Sequence, residues 1–188
     1  MQRNKPYQTL SDEQLMRYLA SEGCEASFGE LYDRHSQRMH RYFYRLLGQN
    51  THRADDFTQE LFMKLVEKTA LFDPERRFST WLYTVAGNMV KNEYRRLSRQ
   101  VAPLPVEDFF GENFSEDFDA QIFEQQLHQA LGELDETQRQ CFVLRYQEEL
   151  SIREIAEILD CPEGTVKSRI FYTLKKLGNK LRAFAGVF

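Results

Sequence analysis

The sequence predicts an all-α protein of two small helical domains joined by a flexible acidic linker. Apolar residues recur at the 3.6-residue period of an α-helix through most of the chain, and no segment alternates as a strand does. Pro103 and Pro105 interrupt this pattern near the middle. From about residue 101 to 120 the chain is acidic and aperiodic, which is typical of a linker or a functional loop. The expected domains are therefore residues 1–100 and 121–188.

Four helices are expected in the first domain. The first begins at Ser11, because Ser11 and Gln14 have the spacing of a capping box. Apolar residues at helical spacing predict three more helices, and a loop that contains Pro74 separates the last two. These helices cover about residues 26–47, 53–70 and 79–99.

The second domain is expected to contain a helix-turn-helix near its end. A helix that ends near Leu134 and another over about residues 136–148 precede it. Ser151 and Glu154 form a second capping box and mark the start of the first helix of the motif.

The turn of this motif is predicted at Asp160 and Cys161. Aspartate tolerates the left-handed conformation that such a turn requires. Pro162 suits the first position of the next helix, with Cys161 at its cap. Apolar residues of that helix form one stripe that we expect to be buried: Val166, Ile170, Leu174, Leu177 and Leu181.

The charge is distributed unevenly along the chain. The net charge is −4, yet the stretch from Val101 to Gln138 has no Lys or Arg and contains ten acidic residues. The rest of the chain has 25 basic against 19 acidic residues, a net charge of +6. Basic ends on either side of an acidic middle indicate contact with nucleic acid.

Several classes of protein do not fit the sequence. No apolar run approaches the roughly 18 residues of a membrane helix, and the polar start, Met1 to Lys5, is not a secretory signal, so we expect a cytoplasmic protein. No metal or cofactor motif and no nucleophile–base arrangement is present, which argues against an enzyme and a small-molecule substrate. The three cysteines are expected to be small core or turn residues: Cys24, Cys141 and Cys161.

The second helix of the helix-turn-helix has a polar, basic face opposite its apolar stripe. Hydroxyl and guanidinium groups near a helix start suit base edges in the major groove, and lysines suit phosphates. Phe171 lies off the stripe and could pack on a thymine methyl. The alternative is a solvated basic face on a small bundle. The face carries Thr165, Lys167, Ser168, Arg169, Tyr172, Lys175 and Lys176.

The fourth helix carries the single tryptophan of the chain, Trp81, on the face opposite its buried residues. An aromatic ring beside cations is the usual means of holding single-stranded nucleic acid. Alternatively, the loop from Phe72 to Arg77 covers Trp81, and both interpretations can hold together. The same face carries Thr84, Asn88, Lys91, Arg95 and Arg99.

The third helix has a polar face away from its predicted core stripe of Phe57, Leu61 and Leu65. Asp55 and Asp56 lie in the first turn, where acids also stabilise the helix dipole. That explanation does not require Gln59 and Glu60, which share the face.

Three segments together resemble the sigma-70 family of RNA polymerase sigma factors. DDFTQELFMKL (55–65) resembles its core-binding helix, and RFSTWLYTVAGN (77–88) resembles the element that recognises and melts the −10 promoter region. SIREIAEILDCPEGTVKSRIF (151–171) resembles the helix-turn-helix that reads the −35 element. Their order, spacing and short total length are similar to the extracytoplasmic-function (ECF) subgroup, which keeps only a sigma-2-like and a sigma-4-like domain.

The resemblance implies roles for the residues that match. Core polymerase would be bound at its largest-subunit clamp and its flap, with the clamp meeting Asp56, Gln59 and Glu60. The loop from Phe72 to Phe78 would hold a flipped −10 base. Other −10 contacts would come from Arg76, Arg77, Trp81, Asn88, Lys91, Arg95 and Arg99. The −35 element would face Thr165, Lys167, Ser168, Arg169, Phe171, Tyr172 and Lys176.

The resemblance also implies partners beyond polymerase and promoter DNA. ECF factors commonly have an anti-sigma factor, often anchored in the membrane, which would hold a cytoplasmic protein at the inner membrane face. The acidic linker would pass through the polymerase channel that later holds RNA. Gly87 departs from the family pattern, where a larger, often basic residue is usual, and would remove a side chain near the fork.

Two other interpretations of the sequence remain open. A helix-turn-helix regulator would bind duplex promoter DNA without being a polymerase subunit. A sequestering decoy would bind a basic partner through the acidic middle and support no initiation. The aromatic and basic face around Trp81 argues against the first, because a duplex-binding regulator does not need it.

Overall fold

The structure, a computed structural model, describes residues 5–99 and 130–185, with side chains described for 7–99 and 130–180. The chain divides into two compact units, Met1–Arg96 and Leu97–Phe188. The predicted linker at 101–120 lies outside the described residues, as do Phe123 and Leu127 of the helix expected before Leu134. Among the helices that are described, none combines the length and apolarity needed to span a membrane.

All regular elements in the described ranges are helical, which confirms the all-α prediction. Two 3-10 turns, Lys5–Thr9 and Thr69–Leu71, accompany the helices of the first unit. The α-helices of the first unit are α1 (Asp12–Glu22), α2 (Glu25–Leu46), α3 (Thr51–Glu67) and α4 (Phe78–Arg99). In the second unit, they are α5 (Glu136–Tyr146), α6 (Ile152–Ile158) and α7 (Glu163–Ala185).

The start of α1 is the predicted capping box. The Ser11 side chain accepts a hydrogen bond from the Gln14 backbone, and the Gln14 side chain accepts one from the Ser11 backbone. Gly23 ends the helix in the left-handed conformation, with φ of 59°. Only glycine adopts that conformation without strain from a Cβ atom.

The core of the first unit forms around α2. Its buried side chains follow the predicted period, and they pack against α1, α3 and α4. Phe57, predicted in the core of α3, is only partly buried, whereas Phe62 is buried. Buried α2 residues are Ser27, Leu31, Met39, Tyr42, Phe43 and Leu46.

Arg34 of α2 holds the first turn of α1 and the residues just before it against this core. Its guanidinium donates to the carbonyl of Leu10 at 2.9 Å and to the Asp12 carboxylate at 2.8 Å. The other oxygen of Asp12 lies 2.8 Å from His35 Nε2. Partial burial opposes ionisation of Asp12, but the hydrogen bonds from His35 and Arg34 outweigh it, so its pKa is lowered.

The second unit contains the predicted helix-turn-helix, formed by α6 and α7. The Ser151 and Glu154 capping box opens α6. Asp160 has φ of 48°, the left-handed conformation expected at the turn. Pro162 was predicted at the first position of the second helix, but that helix, α7, begins one residue later at Glu163. The Pro162 carbonyl accepts from Thr165 at 2.9 Å and from Val166 at 3.2 Å.

One residue of the predicted core stripe of α7 is wrong. Val166, Ile170 and Leu177 are buried, but Leu174 is 43% exposed, and Thr173 is fully buried in its place. The Thr173 hydroxyl donates to the Arg169 carbonyl at 2.7 Å, so its burial leaves no unsatisfied polar group. The Leu181 side chain lies outside the described part.

Candidate nucleic-acid and protein interfaces

Three aromatic rings meet where the loop after α3 enters α4. The Phe72 ring centroid lies 6.0 Å from that of Phe78 and 5.6 Å from that of Trp81. Phe78 and Trp81 lie 6.1 Å apart. Phe72 is 7% exposed and Phe78 is fully buried, and the half-buried Trp81 packs against both of these side chains.

The partial burial of Trp81 is compatible with both interpretations of its position. The loop residue Phe72 covers part of the indole, as the packing interpretation expects. The rest of the indole remains open on α4, as the stacking interpretation requires. Phe78 presents no surface in this conformation, so the direct DNA contact predicted for it is not available, and its ring packs against Trp81 instead.

A residue of α1 holds the start of α4, and no local sequence pattern predicts this contact. Glu13 Oε1 accepts a hydrogen bond from the Phe78 backbone N–H at 2.9 Å, across 65 residues of sequence. Burial opposes ionisation of Glu13, but hydrogen bonds from Phe78 and from its own helix start dominate and lower its pKa. This carboxylate thus fixes the first turn beneath the aromatic cluster.

The outer face of α4 is polar and cationic, as predicted. Arg76 and Arg77 are exposed in the preceding loop, and Arg76 lies 3.7 Å from Asp73. A surface of this kind, with an open indole at one end, can stack a base and neutralise the phosphates that follow it. The exposed residues of the face are Asn88, Lys91, Arg95 and Arg99.

Gly87 faces the core rather than this outer face. It is buried, and a Cβ atom at this position would meet the Tyr42 hydroxyl at 3.7 Å. The expectation that Gly87 removes a side chain near the fork is corrected accordingly: the missing side chain would point to α2.

An ion-pair cluster ties α3 to α4. The Arg53 guanidinium and the Glu93 carboxylate form a hydrogen-bonded pair, and Arg96 donates to Glu93 at 2.7 Å. The hydrogen bond from Arg96 is the main reason that the pKa of Glu93 is lowered, and Arg53 adds to it. The cluster therefore fixes the position of α4 relative to α3.

The polar face of α3 is exposed along its length, as predicted. Asp56 and Gln59 are exposed, and Glu60 lies 2.9 Å from Lys64. Asp55 lies 3.1 Å from His40 of α2, so it has a structural partner. Met63, one turn further along this face, is 63% exposed and was not predicted. A thioether of that exposure beside carboxylates suits a protein partner.

The outer face of α7 combines cations, hydroxyls and two aromatic rings. Phe171 and Tyr172 are 63% and 60% exposed, and their rings contact each other at 5.4 Å. Lys167 and Ser168 are also exposed near the helix start, and Thr165 is half-buried. Such a face matches what the major groove offers, namely base edges, thymine methyls and flanking phosphates.

Two residues of the predicted α7 face contact other residues of the second unit instead of projecting freely from the helix. Arg169 Nη1 lies 3.6 Å from the Cys161 sulfur in the turn. Lys176 donates to the Glu133 carbonyl at 2.7 Å. Nearby Cys141 is fully buried, and burial raises the pKa of its thiol to about 11. Cys141 in the core, Cys161 in the turn and Cys24 at the residue before α2 agree with the predicted core and turn positions.

Two family models match the chain. The model described as Sigma-70 region 2 matches residues 31–100, and the model described as Sigma-70, region 4 matches residues 124–177. The first covers most of α2 and all of α3 and α4, and the second covers α5, α6 and most of α7.

Curated relatives match over most of their length. The ECF RNA polymerase sigma factor SigW of Bacillus subtilis is 32% identical over 172 residues, 85% of this chain and 91% of that protein. The ECF RNA polymerase sigma-E factor of Haemophilus influenzae is 30% identical over 189 residues, 92% of this chain and 96% of that protein. Among solved structures, CnrH in complex with the cytosolic domain of CnrY has a TM-score of 0.69 at 27% identity, over 92% of this chain and 97% of CnrH.

Proposed function

The chain belongs to the ECF group of the sigma-70 family, and on that basis we propose which of its surfaces carry out the function of an alternative sigma factor. A protein of this group directs core RNA polymerase to particular promoters and catalyses no reaction itself. Because matches to region 2 and region 4 occur in one chain, a helix-turn-helix regulator that acts without polymerase is disfavoured.

Core polymerase is bound through the exposed face of α3. Asp56, Gln59 and Glu60 supply carboxylate and amide groups at the surface, and Met63 supplies an exposed apolar contact beside them. An apolar centre within a polar rim is the usual composition of a protein interface. The second unit adds a contact with the polymerase flap.

The −10 element is bound by α4 and the loop before it. The half-buried Trp81, supported by Phe72 and continued by an exposed cationic face, is the observation that carries this proposal. Extruding a base costs a few kcal/mol, and stacking of that base on an aromatic side chain offsets about 1–3 kcal/mol of this cost. Lys91, Arg95 and Arg99 then hold the backbone of the melted strand.

The −35 element is read by the outer face of α7. Lys167 and Ser168 lie near the helix start, and Phe171 and Tyr172 add apolar and hydroxyl contacts one turn later. Arg169 leaves the Cys161 sulfur when it engages a base, and Lys176 leaves the Glu133 carbonyl when it engages a phosphate. Both exchanges cost little free energy, because a thiol and a single carbonyl are weaker partners of a cation than a base edge or a phosphate.

The acidic residues between 101 and 120 form a linker between domains at 1–100 and 121–188. Their carboxylates imitate nucleic acid in the polymerase channel that later holds RNA. The linker thereby connects the two promoter-reading surfaces while its own charge keeps it from competing with them for DNA.

An anti-sigma factor is the proposed regulatory partner, and the cytoplasm is the proposed location. CnrH, which is similar to this chain, was solved with the cytosolic domain of CnrY bound to it. A membrane-anchored partner of that kind, docked on α3 and Met63, would exclude polymerase and hold the chain at the inner membrane face.

Run-off transcription tests these assignments. Purified chain and core polymerase transcribe a pool of genomic promoter fragments, and sequencing the transcripts defines the start sites. We expect shared elements near −35 and −10 upstream of each start. Arg169→Ala should relax selectivity at the −35 element alone, with Arg153→Ala on α6 as a control of equal charge. An unchanged −35 preference in Arg169→Ala contradicts its assignment.

A further inference from the structure

A second cationic segment lies outside the surfaces assigned above. Residues 34–54 contain no Asp or Glu, but they contain five arginines and three of the four histidines of the chain. Most of this segment is the second half of α2, which the proposed −10 and −35 surfaces do not include.

Two of the five arginines are bound by carboxylates. Arg34 is bound by Asp12, Glu30 and backbone carbonyls, and Arg53 is bound by Glu93. Arg38, Arg41 and Arg45 are selected by their position, because they follow one another at spacings of three and four residues; Arg41 is exposed, and Arg38 and Arg45 are half-buried. At 100° per residue they lie within an arc of about 60° on one side of α2.

That side of α2 is the edge beside α4. The Arg38 guanidinium carbon lies 5.6 Å from the centre of the Tyr83 ring. Further along, the Tyr94 hydroxyl donates to the Leu46 carbonyl at 2.6 Å. Since Arg38 meets Tyr83 and Leu46 meets Tyr94, the two helices run side by side in the same direction.

The α4 residues opposite this edge belong to the proposed −10 surface. Thr84 and Lys91 follow Tyr83 and Gly87 by one and four positions, which places them at the edge of α4 nearest to α2. The facing stretches, 34–46 on α2 and 78–92 on α4, contain no acidic residue. Arg41, which is exposed, therefore extends the cationic face of α4 across the groove between the helices.

We propose that Arg38, Arg41 and Arg45 form a second binding track for DNA phosphates, on α2, alongside the −10 surface of α4. The inference rests on the proposed function, because it adds a contact to the same strand. At a rise of 1.5 Å per residue, Arg38 and Arg45 lie about 10 Å apart along the helix, a distance that spans more than one phosphate of the same strand. The ligand is the phosphodiester backbone, so the contact is independent of base sequence.

The salt dependence of promoter binding by the holoenzyme tests this track. The probe is a labelled promoter fragment recovered by run-off transcription, titrated at about 50 to 300 mM KCl. Arg41→Gln should lower the slope of log affinity against log salt by about 0.7 to 0.9, the value of one phosphate contact. It should weaken a promoter with a scrambled −10 element equally, and Arg41→Lys should restore the slope.

Arg17→Gln is the matched control, since Arg17 is an exposed arginine of the same unit on α1. Equal slope changes in Arg17→Gln and Arg41→Gln would overturn the track, because they would reflect net charge alone. Lys91→Gln separates the two proposals. A reduced slope in Lys91→Gln with an unchanged slope in Arg41→Gln rejects the α2 track and leaves the −10 surface standing. Unchanged slopes in both variants reject both.

Discussion

Glu13 and Phe78 are joined by a hydrogen bond of 2.9 Å between a carboxylate of α1 and the first backbone N–H of α4. The first N–H groups of a helix have no partner within the helix, and a side chain usually satisfies them from the residue just before. Here the acceptor comes from a different helix. The position of the aromatic cluster on α4 therefore depends on the packing of α1.

Glu13→Ala should destabilise the first unit and disturb Trp81. Loss of a cap acceptor costs about 0.5–2 kcal/mol, and urea unfolding measures it. Because the chain has a single tryptophan, its emission reports the change at the cluster directly. Glu13→Gln is the control, since its amide oxygen can still accept from Phe78. Wild-type stability and emission in Glu13→Ala would show that the hydrogen bond is unimportant.

Acid should weaken the fold through three carboxylates whose pKa values are lowered: Asp12, Glu13 and Glu93. A lowered pKa in the folded state means that the unfolded chain takes up the proton first. The stabilisation is thus complete above the unfolded values, about 3.9 for Asp and 4.3 for Glu, and is lost as pH falls below them. The free energy of unfolding, measured between about pH 6 and pH 3, should fall most steeply in that lower range.

Asp12→Asn separates one contribution from the rest. The variant should be less stable than wild type at neutral pH, because Arg34 and His35 lose a charged partner. Its stability should also depend less on pH in the acid range. A pH dependence identical to that of wild type would mean that Asp12 titrates alike in the folded and unfolded chains.

Gly87→Ala should stabilise the protein. Glycine in a helix costs up to about 1 kcal/mol relative to alanine, and the added Cβ would contact the Tyr42 hydroxyl at an ordinary 3.7 Å. Gly23→Ala is the opposing control, since φ of 59° strains any residue with a Cβ. Thermal unfolding of both variants gives the comparison. A lowered melting temperature in Gly87→Ala would mean that α2 and α4 cannot accept a methyl group there.

Local signals in the sequence predicted the helix starts well and the long-range contacts poorly. The capping boxes at Ser11 and Ser151 are visible in sequence because their partners lie three residues away. The bond from Phe78 to Glu13 joins residues far apart in sequence, so no local pattern contains it. Leu174 was misplaced because neighbouring wheel positions differ by less than the width of a buried face, and a threonine that bonds its own helix can occupy the core.

The candidate surfaces were predictable to a similar degree. The exposed faces of α3, α4 and α7 follow from helical periodicity, and the structure has their predicted residues at the surface with few exceptions. Phe78 and Arg169 are such exceptions, since one is fully buried and the other contacts Cys161. Periodicity gives the direction of a side chain from its own helix, but it does not reveal which loop or turn lies next to it.

Trp81→Ala should impair transcription from duplex promoters more than from a promoter with a pre-melted −10 bubble. Loss of one stacked base costs about 1–3 kcal/mol, which corresponds to roughly 5- to 150-fold in open-complex formation. A pre-melted template needs less of that energy, because its bases are already unpaired. Trp81→Phe retains an aromatic face and should lose less on both templates.

The contact between Trp81 and Phe72 requires a second measurement, because truncation of the indole also removes packing in the cluster. Phe72→Leu serves as the control, since it perturbs the same cluster and leaves the indole in place. If Trp81 acts only in packing, both variants should lower the melting temperature and reduce transcription equally on duplex and bubble templates. If it stacks on a base, the difference between templates should appear in Trp81→Ala and be much smaller in Phe72→Leu. Equal losses on the two templates in Trp81→Ala would therefore remove it from the melting step.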